Sequence, residues 1–166
     1  LDRFIRSGMI DGVVVIGQSN QFERIEEVAE GYLPMVVWGN HQEGQRHCVV
    51  GADNRLGGRF AAERLIAAGA ANLAFFGDTA PFEFAARYAG ACDIATKMGV
   101  SITSVPIHLS PEQAGTEIGR FLSGHGREID GVFAASDSIA FACMRELQKL
   151  GIAVPDDIKL VGFDDL

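Results

Sequence analysis

The chain has 166 residues, 48% of them hydrophobic, and a formal net charge of −8. That apolar content supports packed cores and excludes a disordered chain, and the length allows one ordinary domain or two small lobes. A net-acidic surface repels phosphate, which argues against these residues gripping nucleic acid; no apolar run is long enough to span a bilayer, and no basic-then-apolar leader is read at the start.

Short β-rich runs alternate with helical patterns. Val13 to Ile16 reads as a buried parallel strand, continuous and β-branched. Phe22, Ile25, Val28, Ala29 and Tyr32 follow at helical spacing, and Pro34 ends that region. Met35 to Trp38 and Cys48 to Ala52 are the next strands. Leu56, Phe60, Ala61 and Leu65 mark a helix with Asp53 or Asn54 as its N-cap and Gly69 past its end. The rhythm repeats with a strand at Leu73 to Phe76, a helix carrying Phe84, Tyr88, Cys92 and Ala95 up to Gly99, and a strand at Ile102 to Ile107. Ser110-Pro111-Glu112-Gln113 is a helix start: Ser110 can cap, Pro111 suits the first position, and Gln113 sits at the capping-box position. Val132 to Ala135 is a strand; Ile139, Cys143, Leu147 and Leu150 form a helix closed by Gly151; Ile158 to Phe163 is the last strand. Such alternation predicts right-handed βαβ units and a parallel, doubly wound α/β fold. The small, flexible stretch from Ala67 to Asn72 is the best candidate for a lobe boundary, although an ordinary αβ loop reads the same.

Enzyme signatures are missing. There is no Gly-rich dinucleotide or P-loop fingerprint, no G-x-S-x-G elbow and no H-E-x-x-H. The histidines at 41, 47, 108 and 125 lack metal-ligand spacing, so neither a metal nor a cofactor is expected. Cys48, Cys92 and Cys143 are widely spaced and odd in number, the pattern of reduced structural thiols in a cytoplasmic protein.

In open α/β sheets ligands gather past the carboxyl ends of strands, so polar residues there carry the functional signal. Gln18 follows the first strand, Gly39-Asn40 the second, Asp53-Asn54 the third, Ser136-Asp137 the strand at Val132, and Asp164-Asp165 the last. Each alone reads as a helix cap or turn residue. Together they form an acceptor-rich rim that suits a polyol, because carboxylates and amides bind hydroxyl pairs. His108 also follows a strand, facing either a cleft or solvent. Arg87 lies early in a helix among small neighbours (Ala85, Ala86, Ala89, Gly90), where a long cation either crosses a cleft or sits solvated on the helix face.

Several segments then match one pattern. Asp11-Gly12-Val13-Val14-Val15, Leu33-Pro34-Met35-Val36-Val37, Val50 through Gly58, Arg87-Tyr88-Ala89-Gly90, Ala135 through Ala140, and above all Gly151 through Asp165 resemble the effector-binding core of the lactose-repressor (LacI/GalR) family of bacterial transcription regulators, and the related periplasmic sugar-binding proteins. The likeness runs over essentially the whole chain, and its Val-Pro-Asp-Asp element points to the regulators. It implies two doubly wound lobes of the periplasmic-binding-protein type, incomplete at both ends, with 1–69 part of the upper lobe and 70–166 most of the lower. It implies ligand contacts at Asp53, Arg87 and Asp164, with Ser136 or Asp137 nearby. Where the family often carries an aromatic platform this chain has Leu109 or His108, and Glu83 is acidic at a position near the family's site, able to pair with Arg87 or to favour a hydroxyl-rich or amine-bearing ligand.

The function so implied is a non-enzymatic, cytoplasmic sensor. It binds a small sugar-like effector between its lobes, forms a homodimer, and meets operator DNA only through a separate N-terminal helix-turn-helix. The alternative is a periplasmic sugar-binding protein of a transporter.

Overall fold

The computed structural model describes residues 10–17, 21–31, 34–108 and 110–166. They fall into two compact units, one of residues up to Asp53 together with Pro81–Glu83, the other of Asn54–Ala80 with Phe84–Leu166.

The first unit holds β1 (Val13–Ile16), α1 (Phe22–Gly31), β2 (Met35–Trp38) and β3 (Cys48–Val50). The three strands are parallel in the order β1-β2-β3, with Val14 opposite Val36 and Val36 opposite Cys48. Helix α1 buries Ile25, Val28 and Ala29 on Met35 and Val37, and Val13, Val15 and Val49 pack on that cluster. Val13 to Ile16 is therefore half-buried rather than buried throughout: Val14 and Ile16 point the other way and are exposed, as are Val36, Trp38 and Val50. The loop into β3 is tied to α1 by one carboxylate. Glu26 accepts from the Arg46 amide at 3.0 Å and meets Nδ1 of the buried His47. Cys48, next in the chain, is exposed, as strand alternation requires.

The second unit holds α2 (Asn54–Ala67), β4 (Asn72–Phe76), α3 (Phe82–Met98) from Phe84 onward, β5 (Ser101–Val105), α4 (Pro111–His125), β6 (Gly131–Ala134), α5 (Asp137–Lys149) and β7 (Lys159–Val161). Its sheet is parallel in the order β5-β4-β6-β7. The central strands are buried on both faces, with Phe75, Phe76 and Phe133 fully enclosed. Ring packing adds specificity there: Phe75 meets Phe133 edge-on at 5.2 Å and Phe76 meets Phe121 at 5.5 Å. Burial pushes the Cys143 thiol up to about 12, with Glu146 adding to the effect, which leaves it a core side chain.

Helix α2 groups with the second unit, where Ala61, Ala62 and Leu65 join the core around β4 and β6. One local expectation changes. Ser110 occupies the N-cap of α4 in an extended conformation with Pro following, but its side chain makes no capping hydrogen bond. The loop before α4 is held instead by Glu117, which accepts from the His108 amide at 2.9 Å and pairs with its Nδ1 at 2.6 Å.

Candidate functional site

The strand order of the second unit reverses between β4 and β6, since β4 leads to β5 on one side and the chain returns to β6 on the other. The carboxyl ends at such a reversal form the crevice where doubly wound sheets bind ligands. Here those ends close tightly. The Ala135 amide donates to the Phe76 carbonyl at 2.9 Å, and a side chain on Gly77 would stand 2.5 Å from the Ala135 methyl.

Arg87 reaches this point from the second turn of α3. It is buried (8% exposed), so its charge needs partners. Its Nε donates to Asn54 Oδ1 at 2.8 Å, and Nη1 donates to the Ala135 carbonyl. The guanidinium lies over the Phe163 ring, 3.6 Å from its centroid, and Phe84 stands at 5.3 Å. Nη2 faces Asp164 Oδ1 at 3.5 Å, an ion pair longer than a good hydrogen bond. Arg87 is thus neither solvated nor a loose arm.

The segment after β7 brings Phe163 and Asp164 to Arg87 through a turn in which Asp164 and Asp165 both have positive φ, 108° and 65°. Such values are uncommon outside glycine but most accessible to Asp and Asn. Asp137 holds the turn: its amide donates to the Phe163 carbonyl at 2.8 Å, and its Oδ2 accepts from the Leu166 amide at 2.8 Å. A side chain at 162 would stand 2.1 Å from Asp137 Oδ1 and would have to displace that carboxylate. Asp137, Gly162, Phe163, Asp164 and Asp165 line a shallow, open depression. Burial raises the Asp164 carboxyl above the ordinary range; Arg87 pulls it down and Asp137 pushes it up.

Of the expected site residues, Arg87, Ser136, Asp137 and Asp164 lie in this one unit. Ser136 is buried and caps α5, its hydroxyl accepting from the Ile139 amide at 3.4 Å. Asp53 is exposed and is the last residue of the first unit before the chain enters α2. Glu83 is half-buried in the first turn of α3 and groups with the first unit. His108 is exposed and engaged by Glu117. Gln18 and Leu109 lie outside the described residues. Sequence reasoning missed Asn54 and Phe163 as partners of Arg87. Asn54 passed for a helix cap, and Phe163 for the last apolar residue of a strand; its place directly before Asp164 was the available signal. Among the described residues no group of three His, Cys, Asp or Glu side chains is arranged to hold a metal ion.

Comparison with known proteins places this geometry. Residues 62–166 match the periplasmic binding protein-like domain family. The chain is 27% identical over 165 residues to the ribose operon repressor of Halalkalibacterium halodurans, covering 98% of this chain and 48% of that protein. It spans, then, about half the length of that relative. A LacI-family transcriptional regulator from Burkhoderia phymatum superposes with a TM-score of 0.87 at 28% identity, covering 98% of this chain and 60% of that one. A LacI-family regulator from Enterococcus faecium, solved with bound ribose, shares the fold at a TM-score of 0.80 and 22% identity, covering 98% and 61%. The chain belongs to the periplasmic binding protein-like domain family and is a LacI-family effector-binding core.

Proposed function

We propose that this chain is the sensing portion of a bacterial transcription regulator, and that its effector is a small sugar or sugar derivative. The observation that carries this reading is the Arg87 cluster at the strand-order reversal, where a fixed cation, a carboxylate and an aromatic ring converge. Arg87 and Asp164 supply a donor and an acceptor side by side, the pairing a vicinal diol matches. Asp53 is assigned a further hydroxyl. Ser136 and Asp137 complete the set with the lone pairs that their own hydrogen bonds leave over, since a hydroxyl oxygen has two and a carboxylate about four. The names of relatives support the ligand class: one is a ribose operon repressor, and a neighbour of the same fold was solved with ribose.

In the whole protein the effector sits between two lobes, and closure changes the affinity of a separate helix-turn-helix module for operator DNA. Coupling of this kind is typically worth about 1–3 kcal/mol. The acidic net charge fits a core that leaves DNA to another module. The protein works in the cytoplasm as a homodimer, which suits two-fold operators.

A thermal-shift screen of sugars, polyols, nucleosides and amino sugars tests the reading. A true effector at a hundred times its dissociation constant adds about 2.7 kcal/mol of stability. Arg87→Ala abolishes that gain; a variant that responds as the parent does removes Arg87 from the site.

A further inference from the structure

Arg87 owes its orientation to several partners, and one of them bears on what it can offer a ligand. A guanidinium carries five N–H donors in a rigid fork, and it recognises carboxylates and phosphates best with two parallel bonds. Those pairs come from the Nε/Nη2 edge or the Nη1/Nη2 edge. Asn54 Oδ1 accepts from Nε at 2.8 Å, which occupies the first edge, and the Ala135 carbonyl accepts from Nη1, which occupies the second. Asp164 stands beside Nη2 at 3.5 Å, so an incoming anion would also meet a like charge.

Asn54 is built for this task. It is 3% exposed and opens α2. A side chain at 58 would stand 2.0 Å from the Arg87 carbonyl, and one at 57 would stand 2.5 Å from the Phe163 ring. The first turn of α2 is therefore pressed against both Arg87 and the ring beneath it.

We infer that Asn54 is a positioning and specificity residue of the Arg87 site: by accepting from Nε it fixes the guanidinium so that the site takes an uncharged, hydroxyl-bearing ligand and rejects carboxylated or phosphorylated ones. The ligand half of this statement rests on the function proposed above; the positioning half needs no ligand.

The positioning half is read by NMR on nitrogen-15-labelled full chain. The Arg87 Nε–H gives a resolved signal in slow exchange with water, which Asn54→Ala loses and Asn54→Asp, with its acceptor oxygen kept, restores. A signal equally protected in Asn54→Ala overturns it. The specificity half is read with D-gluconate and inorganic phosphate as probes. The parent chain and Asn54→Asp give no thermal shift with either, whereas Asn54→Ala gains at least about tenfold in affinity for one of them, the scale of one charge-assisted hydrogen bond, and loses the gain when Arg87→Ala is added. Binding of either anion to the parent through Arg87, or an Asn54→Ala variant no more receptive than the parent, overturns it. Failure of the proposed function looks different: there, a neutral effector responds unchanged to Arg87→Ala while the protected Nε–H signal still depends on Asn54.

Discussion

At the scale of single residues, Asp164 carries conflicting demands. Burial raises its carboxyl above the ordinary 3.8, and Asp137 pushes the same way, against the pull of Arg87. A carboxyl whose pKa is raised by folding binds its proton more tightly in the native state. Its contribution to stability is then fully present below 3.8 and is lost as pH rises through the folded value. Near neutral pH the ionised group is a cost to folding. Asp164→Asn should therefore stabilise the chain at neutral pH, by no more than about 0.5 kcal/mol because the side chain is over a third exposed, and the gain should fade near pH 3. Urea melts at the two pH values check this; an equal gain at both assigns the effect to the left-handed backbone, which Asn also tolerates. Arg87 and Asp164 stood out in the sequence as candidates because strand ends and an arginine among alanines are local patterns. The bond between Arg87 and Asn54 did not, because it joins residues 33 apart and nothing in either neighbourhood encodes the other. An Asn before a helix reads as a cap whether or not it also serves an arginine.

At the scale of elements, the site depends on how closely α2 crosses α3. The two helices meet at backbone distance: a Cβ on Gly58 would lie 2.0 Å from the Arg87 carbonyl, and one on Gly90 would lie 1.9 Å from the Arg55 carbonyl. The rim of the crossing is clamped by Asp93, which accepts from Arg55 and Arg59 at 2.9 Å each; those two arginines hold its carboxyl down to about 2. In an exposed helix a Gly to Ala change would gain about 1 kcal/mol from propensity. At Gly58 the new methyl meets a carbonyl that cannot rotate away, and overpacking of this sort costs about 1–3 kcal/mol. Gly58→Ala should thus lower the melting temperature and weaken effector binding together, by moving the turn of α3 that carries Arg87. A melting temperature at or above the parent's would show that the helices separate without strain. The element order and nearly every helix span were readable from periodicity and caps. Periodicity does not name the sheet that α2 packs on: its apolar stripe of Ala61, Ala62 and Leu65 says that one face is buried, but not against what.

At the scale of the whole molecule, the two units are unequally built. The second has central strands with Leu73 to Phe76 and Gly131 to Ala134 buried throughout, under helices on both faces. Among the described residues the first has one helix on a three-stranded parallel sheet, with a core of Ile25, Val28, Ala29, Met35 and Val37. Its other face sets Val14, Ile16, Val36, Trp38 and Val50 in water, with Ile16 85% and Trp38 57% exposed. Parallel sheets are ordinarily covered on both faces, so a continuous apolar run such as Val13 to Ile16 reads as doubly buried from sequence, where periodicity cannot reveal that alternate residues stand exposed. The consequence is energetic. The ladder of β1-β2-β3 can be opened by water from one side and has few apolar contacts to lose. Local opening free energies scale with such contacts, so amides of β2 should exchange with solvent at least about tenfold faster than those of β4 and β6, a gap of about 1.4 kcal/mol or more. Hydrogen exchange followed by mass spectrometry on peptides spanning Met35–Trp38 and Gly131–Ala134 measures it directly. Equal protection of the two peptides would overturn this, and would mean that apolar burial does not set local opening here.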